Sequence, residues 1–293
     1  MSPRDTLVAV SVAVVWGLTF IAIKIGVQET SPLMLSALRF FLAAFPIVLF
    51  VKPPKAKAWA VALYGLLIGV GQFGLLFIAI HRGFPVGLAS LLVQFQAFFT
   101  IGLAWIFLHD APRRPQLIGA VLGFLGLAVI GSERLAGASL TPFLMVVLAS
   151  FCWGSGNTLA KSLGRIDMFS FTVWSSLAPV LPLLLMSLAL DGRAPLLALA
   201  HPSGRLIAAA LIVAYAGTVF GFGLWARLLT HYSAAEVAPF ALLVPVVGMA
   251  AARLVFAEPV SPVELLGGLL IMAGLALNVF GDWAIRRAVA FLR

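Results

Sequence analysis

The sequence predicts an all-α polytopic membrane protein whose ten transmembrane helices form two inverted five-helix repeats. The first observation is composition: the 293-residue chain is 62% hydrophobic and 10% charged, which leaves more apolar surface than a soluble domain of this length can bury. The second is that ten apolar stretches are each about 20 residues long, the length that crosses a bilayer. The third is that the opening segment of the chain recurs in its second half.

Residues 14–26 recur as residues 151–163, and each copy contains a Trp-Gly pair followed by a lysine. The matched pairs are Trp16 with Trp153, Gly17 with Gly154 and Lys24 with Lys161, all 137 positions apart. The ends of the two halves match at an offset of 148, in the pairs Asp110 with Glu258, Gly119 with Gly267 and Gly126 with Gly274. We therefore predict a first repeat over residues 1–135 and a second, inverted repeat over residues 136–293.

The apolar stretches place the ten spans in order, with proline and glycine between many of them. The predicted spans are 5–27, 32–51, 58–80, 85–108, 114–131, 140–162, 168–190, 205–229, 234–256 and 262–283. Prolines also lie inside spans, where the carbonyl groups that they free need other partners and the helix bends. Pro46, Pro179, Pro239 and Pro245 are therefore candidate hinges, and a kink that serves packing alone is the alternative.

The distribution of lysine and arginine predicts the orientation in the membrane, because cytoplasmic loops carry an excess of these residues. With the N-terminus in the cytoplasm, twelve of the 19 lie at the cytoplasmic side, six lie at the other side, and Arg39 lies within the second span. Both termini are therefore expected to be cytoplasmic. Five spans per half is an odd number, so the second half crosses in the opposite sense, which is typical of secondary transporters.

The residues that open and close the two halves resemble the drug/metabolite transporter superfamily, in its ten-helix EamA-type branch. The features are the Trp-Gly pair separated by six residues from a lysine, Ala37 to Phe41 in the second span, His109 to Pro112 ahead of Gly119, and Glu258 to Ser261 ahead of Gly267. Within that branch the chain is most similar to the YddG-type bacterial amino-acid exporters. The resemblance implies a multi-pass exporter in the bacterial cytoplasmic (inner) membrane that acts on amino acids.

The spans carry neutral polar side chains at depth, whereas all ten acidic residues lie in loops or near span ends. The absence of a deep carboxylate argues against binding of a coupling cation or a cationic drug. A neutral polar lining suits a zwitterion or another polar metabolite, which needs hydrogen-bond partners for both signs of charge. The candidate substrate-binding residues are Trp16, Gln72, Gln94, Gln96, Trp153, Asn157, Tyr215 and Thr218. The alternative is that these side chains only join helix to helix.

Lys24, Arg39 and Lys161 are candidate gating or mouth charges. Each is expected to attract a substrate carboxylate or to form a latch with a loop acid or a helix end, and the alternative is a side chain that extends to the membrane interface. Arg39 is expected near the outer end of its span. Trp225, toward the end of the eighth span, is expected in the aromatic belt at the interface.

These observations favour a secondary transporter that exports small polar metabolites by alternating access through a central cavity, with amino acids, aromatic ones included, as the favoured class. An exporter of drugs or other metabolites with the same fold is the first alternative. A membrane-embedded enzyme is a distant one, because the sequence has no deep carboxylate pair and no histidine-cysteine metal cluster. We therefore predict no catalytic residue, no metal site, no cofactor and no nucleic-acid partner, and a monomer that contacts membrane lipids and a small-molecule substrate.

Overall fold

Ten helices long and apolar enough to cross a membrane make up most of the fold in the part of the chain that the structure describes, as predicted. The computed structural model describes residues 1–136 and 140–291, and within these ranges it contains helices and no strands. The helices that are long and apolar enough to cross a membrane are numbered α1 to α10 in chain order. Their bounds are α1 Pro3–Glu29, α2 Pro32–Leu49, α3 Ala58–His81, α4 Val86–Leu108, α5 Arg114–Leu135, α6 Leu140–Ser162, α7 Met168–Asp191, α8 Gly204–His231, α9 Glu236–Phe256 and α10 Pro262–Gly281.

Each predicted span has its helix, and most ends agree to within a few residues. A short helix, Ala194–Ala200, lies in the hydrophilic segment between α7 and α8. The last helix continues beyond its membrane-spanning part to Phe291. The predicted boundary between the repeats adjoins residues 137–139, and these residues and the predicted end at Arg293 lie outside the described ranges. The exact division into repeats therefore stays a prediction.

Serine residues mark the starts of several helices. Ser2, Ser31 and Ser203 precede α1, α2 and α8, and each accepts a hydrogen bond from a backbone N–H of the first turn. Pro3 and Pro32 follow two of these serines, at the first position of the helix, where a backbone N–H would have no partner within the helix. These caps satisfy donors that a helix end otherwise leaves unpaired.

Helices are interrupted next to the four prolines predicted as hinges. α2 leaves regular α-helix just before Pro46 and continues after it as a short 3₁₀ turn. α7 is interrupted in its middle, and its second half begins directly after Pro179. In α9, Pro239 and Pro245 lie on either side of a one-residue break. Their action as hinges stays a prediction.

α3 and α8 each contain a stretch of π-helix, Leu67–Gly74 and Ile212–Phe220. A π-helix shifts each backbone hydrogen bond by one residue, and such stretches are frequent at functional sites. α3 and α8 are the third helices of the two predicted repeats. The two halves therefore share the same backbone irregularity in the corresponding helix.

The packing of the helices follows a two-fold pattern. α1 packs against α8 and α9 of the second half, and α6 packs against α3 and α4 of the first. α2 packs against α7, α4 against α9, and α5 against α10. Exchanging each helix for the one five places along the chain leaves this pattern unchanged. The arrangement is the one expected of two related five-helix units.

α5 and α10 approach each other closely through glycine residues. A methyl group added at Gly119 would clash with the carbonyl oxygen of Gly274, and one added at Gly126 would clash with that of Gly267; the converse also holds for both pairs. The earlier glycine of each helix thus contacts the later glycine of the other, which means that the two helices run antiparallel. This direction is consistent with inverted repeats, in which corresponding helices point in opposite directions.

Large hydrophobic side chains cover the outside of the helix bundle. Phe50 and Leu254, for example, are 83% and 84% exposed. In a membrane this surface contacts lipid acyl chains, and the polar side chains of the spans can avoid lipid only by facing inward. The chain is therefore a multi-pass membrane protein, and Gln72, Gln94 and Ser150 are among the polar residues buried in its interior.

Candidate functional site

A cavity of about 380 Å³ lies between the two halves of the molecule. Side chains from α1 to α4 of the first half and from α6 to α9 of the second half line it, whereas α5 and α10 contribute none. A cavity of this size can hold a small ligand. None of the described residues that line it is acidic. Its polar groups are amides, hydroxyls, indoles and a guanidinium.

The cavity extends toward one end of the molecule, which we call the Met1 end. The amino group of Met1 forms an ion pair with Glu236 at the start of α9. Three residues that line the cavity, Met168, Leu229 and Ala238, lie within three residues of a helix end on this side. The cavity therefore reaches close to this surface of the bundle.

Amide side chains of α4 and α6 form a polar wall of the cavity. Gln94 donates a hydrogen bond from Nε2 to the carbonyl oxygen of Ala241 on α9, at 3.0 Å. Asn157 donates from Nδ2 to Oε1 of Gln96 and to the hydroxyl group of Thr100. These amides line the cavity and also join helices of the two halves, and their role in substrate binding stays a prediction.

Aromatic side chains form a second wall. Trp16 donates a hydrogen bond from Nε1 to the carbonyl oxygen of Gly217, at 2.9 Å, within the π-helical stretch of α8. Its ring packs against Phe222 and Trp225, with centroids 5.3 and 5.1 Å away. The expectation that Trp225 belongs to the interfacial belt is wrong, because this residue lines the cavity. Trp153, which corresponds to Trp16, also lines the cavity but donates no side-chain hydrogen bond to a described residue.

Arg39 lies deep in the wall of the cavity, and the expectation that it sits near an outer span end is wrong. It is 3% exposed. Its Nε donates a hydrogen bond to the hydroxyl group of Thr218, near the middle of α8, at 3.0 Å. Its guanidinium carbon lies 3.5 Å from the ring centre of Phe73. The long side chain thus extends inward from α2 to partners that are available only inside the bundle.

Two predicted substrate-binding residues, Tyr215 and Thr218, lie outside this cavity. The Tyr215 hydroxyl donates to the carbonyl oxygen of Phe45, at 3.4 Å, and the Thr218 hydroxyl accepts from Nε of Arg39 on α2, at 3.0 Å. Both are polar groups of the α8 stretch that packs against α2, so helix-to-helix contact is the better account of them. The other six predicted residues line the cavity, and they are Trp16, Gln72, Gln94, Gln96, Trp153 and Asn157.

Further lining residues escaped the sequence-based prediction. Thr19 lies three positions after Trp16, a spacing that places both on one helix face and that offered a usable signal. Tyr64 lies eight positions before Gln72, a spacing at which two residues share one broad face of a helix. Phe222 carried no comparable signal, because phenylalanine is common on every face of these spans.

At the end opposite Met1, called the Lys24 end, an ion pair joins the two halves. Lys24 of α1 places Nζ 2.7 Å from Oε1 of Glu258, which follows α9. Glu258 also accepts hydrogen bonds from the backbone N–H groups of Val86 and Gly87, the first residues of α4. A carboxylate is favourable at a helix N-terminus, where the unpaired N–H groups carry partial positive charge. The two side chains are 25% and 11% exposed, so the ion pair and its hydrogen bonds form a partly buried network.

At the Met1 end, the equivalent residues form a second ion pair. Lys161 of α6 pairs with Asp110, which follows α4. The side chains are 51% and 57% exposed. The hydrogen bond and the charge of Lys161 hold the pKa of the Asp110 carboxyl below its ordinary value. Both lysines thus contact a loop acid of the other half, the arrangement that the latch hypothesis requires.

Comparison with known proteins relates the whole chain to one family. The profile of the EamA-like transporter family matches residues 5–132 and 140–280. A protein of Salmonella typhimurium, named a probable amino-acid metabolite efflux pump, is 42% identical over 288 residues, which are 96% of each chain. An Escherichia coli K12 protein of the same name is 41% identical with the same coverage. A solved crystal structure, 17% identical in sequence, has a TM-score of 0.63 and covers 96% of this chain and 97% of its own.

Within the described residues, ten helices are long and apolar enough to span a membrane, and eight of them line a cavity between the two halves. This is the architecture of a polytopic membrane transporter. The chain belongs to the EamA-like transporter family, because the family profile covers nearly all of both halves and the enterobacterial relatives are similar over almost their entire length. The solved structure is similar in fold alone. The resemblance to the ten-helix EamA-type branch, stated from the sequence, is confirmed.

Proposed function

We propose that this transporter exports amino acids and similar zwitterionic metabolites across the bacterial cytoplasmic membrane. The observation that carries the proposal is the cavity lining, which offers amides, indoles and a guanidinium but no acid among the described residues. Such a surface can hydrogen-bond both charged groups of a zwitterion, whereas it has no group that compensates a lone cation. The names of the two enterobacterial relatives, probable amino-acid metabolite efflux pumps, support this substrate class.

The proposed mechanism is alternating access with both termini in the cytoplasm. Substrate enters the cavity from the Met1 end, toward which the cavity extends, while the ion pair of Lys24 with Glu258 keeps the opposite end closed. Separation of that pair, with tighter closure around Lys161 and Asp110, then releases the substrate outside. The interruptions next to Pro46, Pro179, Pro239 and Pro245 supply the points at which the helices bend.

Counterflow in proteoliposomes tests the proposal. Vesicles containing the purified protein are loaded with an unlabelled amino acid and given the labelled one outside, across a panel that includes L-threonine, L-leucine and L-phenylalanine, with and without a proton gradient. We expect exchange of at least one member of the panel. Gln94→Ala and Gln96→Ala are each expected to reduce exchange about 10-fold, because each removes an amide from the cavity.

Gln28→Ala is the matched control, because Gln28 is exposed at the end of α1 and lies outside the cavity. It is expected to exchange at the wild-type rate. Exchange of the lipophilic cation tetraphenylphosphonium without exchange of any amino acid would contradict the proposal and favour a drug exporter. Exchange that requires the proton gradient would identify the process as proton-coupled.

A further inference from the structure

One buried cation in the cavity wall has no acidic partner. Among the described lysines and arginines, Arg39 is the one whose side chain is buried. Its Nε donates to Thr218, but its Nη1 is buried without a hydrogen-bond partner. Lys24, Arg134 and Lys161 each form an ion pair with a carboxylate. Arg39 forms none with any residue that the structure describes.

The aromatic contacts of Arg39 offset only part of the cost of burying its charge. The guanidinium carbon lies 3.5 Å from the ring centre of Phe73 and 5.7 Å from that of Phe40. Such contacts are attractive in a desolvated site, but an aromatic ring is neither an anion nor a strong hydrogen-bond acceptor. A buried charge is stable when it is paired and hydrogen-bonded. An anion that enters the cavity from outside therefore completes this site.

The geometry of the guanidinium selects the chemistry of that anion. Its planar fork of N–H donors matches the two oxygens of a carboxylate. Gln72, which precedes Phe73 on α3, also lines the cavity, and its Oε1 is buried without a hydrogen-bond partner. A cation with an unpaired acceptor nearby suits a molecule that carries an ammonium group close to a carboxylate.

We propose that Arg39 binds the carboxylate of the transported molecule, so that the substrates are amino acids with a free carboxyl group. This inference rests on the function proposed above and names the feature of the substrate that the cavity recognises. Arg39 then belongs to the binding site and not to a mouth of the pathway. Amino-acid amides, which lack the carboxylate, are expected to bind much more weakly.

The test compares an amino acid with its own amide in wild type and in Arg39→Gln. Proteoliposomes exchange labelled L-phenylalanine or L-threonine, and the unlabelled acid or the corresponding amide competes. In wild type we expect the acid to compete at about 10- to 100-fold lower concentration than the amide. In Arg39→Gln we expect the half-saturating concentration of the acid to rise about 10- to 100-fold, so that the protein no longer prefers the acid to the amide.

Arg253→Gln is the matched control, since it neutralises an exposed arginine near the end of α9 that donates only to the carbonyl oxygen of Ala257 in the described structure. It is expected to keep the wild-type preference for the acid. An unchanged preference and half-saturating concentration in Arg39→Gln overturn the inference alone. Wild-type protein that exchanges no amino acid overturns the proposed function, and with it the inference.

A second variant decides the question if Arg39→Gln is not monodisperse in detergent. Arg39→Lys keeps the positive charge but loses the planar fork. A rise of about 10-fold in the half-saturating concentration of the acid, with a change of less than about 2-fold for the amide, supports the inference. Equal changes for the acid and the amide overturn it and leave Arg39 as a packing cation of the α2–α3–α8 contact.

Discussion

At each end of the molecule, one ion pair joins the two halves. The two pairs involve equivalent residues but differ in burial. At the Lys24 end, the side chains of Lys24 and Glu258 are 25% and 11% exposed. At the Met1 end, those of Lys161 and Asp110 are 51% and 57% exposed. In both pairs a lysine from the first helix of one half contacts the acid that follows the fourth helix of the other. The same sequence pattern thus forms a partly buried ion pair at the Lys24 end and an exposed ion pair at the Met1 end.

The two ion pairs differ in burial because the neighbouring helices begin differently. α4 begins at Val86 without a side-chain cap of its own, and Glu258 accepts hydrogen bonds from its first N–H groups. α9 corresponds to α4 but has a carboxylate of its own at its start, because Glu236 accepts hydrogen bonds from the backbone N–H and the hydroxyl group of Ser233. That helix start needs no carboxylate from the other half, and Asp110 remains at the surface.

Replacing the two acids is expected to give the largest and most unequal effect. Glu258→Ala should lower the free energy of unfolding by about 3 kcal/mol, because it leaves a partly buried lysine and two helix N–H groups unpaired. Asp110→Ala should change it far less, because water readily replaces an ion pair between exposed side chains. SDS-induced unfolding in mixed micelles measures both variants. Equal losses would contradict the proposed importance of burial.

Where the two halves are alike, equivalent substitutions should have equal effects. Gly126→Ala and Gly274→Ala each direct a methyl group at a backbone carbonyl of the facing helix, so each should cost about 2 kcal/mol in the free energy of unfolding. Gly102→Ala is the control, because its methyl group meets no neighbouring atom, and it should stay within about 0.5 kcal/mol of wild type. A loss for one variant alone would contradict the equivalence of these two contacts between α5 and α10.

The equivalent tryptophans of the two halves differ by one hydrogen bond. Trp16→Phe removes the donor to the carbonyl oxygen of Gly217 and should cost about 1 kcal/mol in the free energy of unfolding. Trp153→Phe removes no side-chain hydrogen bond to a described residue and should cost less. The same SDS titration checks the order of the two losses. A larger loss for Trp153→Phe would mean that packing, and not the hydrogen bond, distinguishes the two sites.

The smallest expected effect is the pH dependence of the exposed ion pair. Lys161 holds the pKa of the Asp110 carboxyl below its ordinary value, which is about 4. Because the lower pKa belongs to the folded state, the contribution to stability is complete above the ordinary pKa and is lost as pH falls through the folded pKa. Thermal unfolding midpoints of wild type and Asp110→Asn should differ by a small constant amount from about pH 6 to 8 and converge below about pH 4. A difference that grows on acidification would be incompatible with this sign.

Most of the fold could be predicted because a bilayer imposes a fixed length on each helix. The apolar runs and the prolines between them located all ten spans. The recurrence of the Trp-Gly pair identified Lys24 and Lys161 as corresponding residues, and both contact acids at corresponding positions. The π-helical stretches of α3 and α8 had no signal in the sequence, because they depend on how neighbouring helices pack.

The candidate site could be predicted only in part. Gln94 and Gln96 line the cavity, as expected of amides that an apolar span cannot leave facing lipid. Arg39 was predicted near a span end but extends into the bundle. Position along a helix does not give the direction in which a long side chain extends. Tyr215 and Thr218 were predicted to line the cavity but do not. The rotation of α8 about its own axis depends on its packing against α2, which its composition does not show.

The central hypothesis, that the two ends open in turn, is tested most directly by counterflow after each ion pair is cross-linked separately. Cys152, the only cysteine, is first replaced by alanine. Lys24→Cys with Glu258→Cys then allows a short, reducible bifunctional thiol reagent to lock the Lys24 end. Lys161→Cys with Asp110→Cys is the matched control, because these two residues are already in contact while the cavity extends to the Met1 end. We predict that the cross-link between positions 24 and 258 stops exchange of the labelled amino acid, that reductant restores it, and that the cross-link between positions 161 and 110 leaves exchange in place. Exchange at the rate of the untreated protein while the Lys24 end is locked would contradict alternating access.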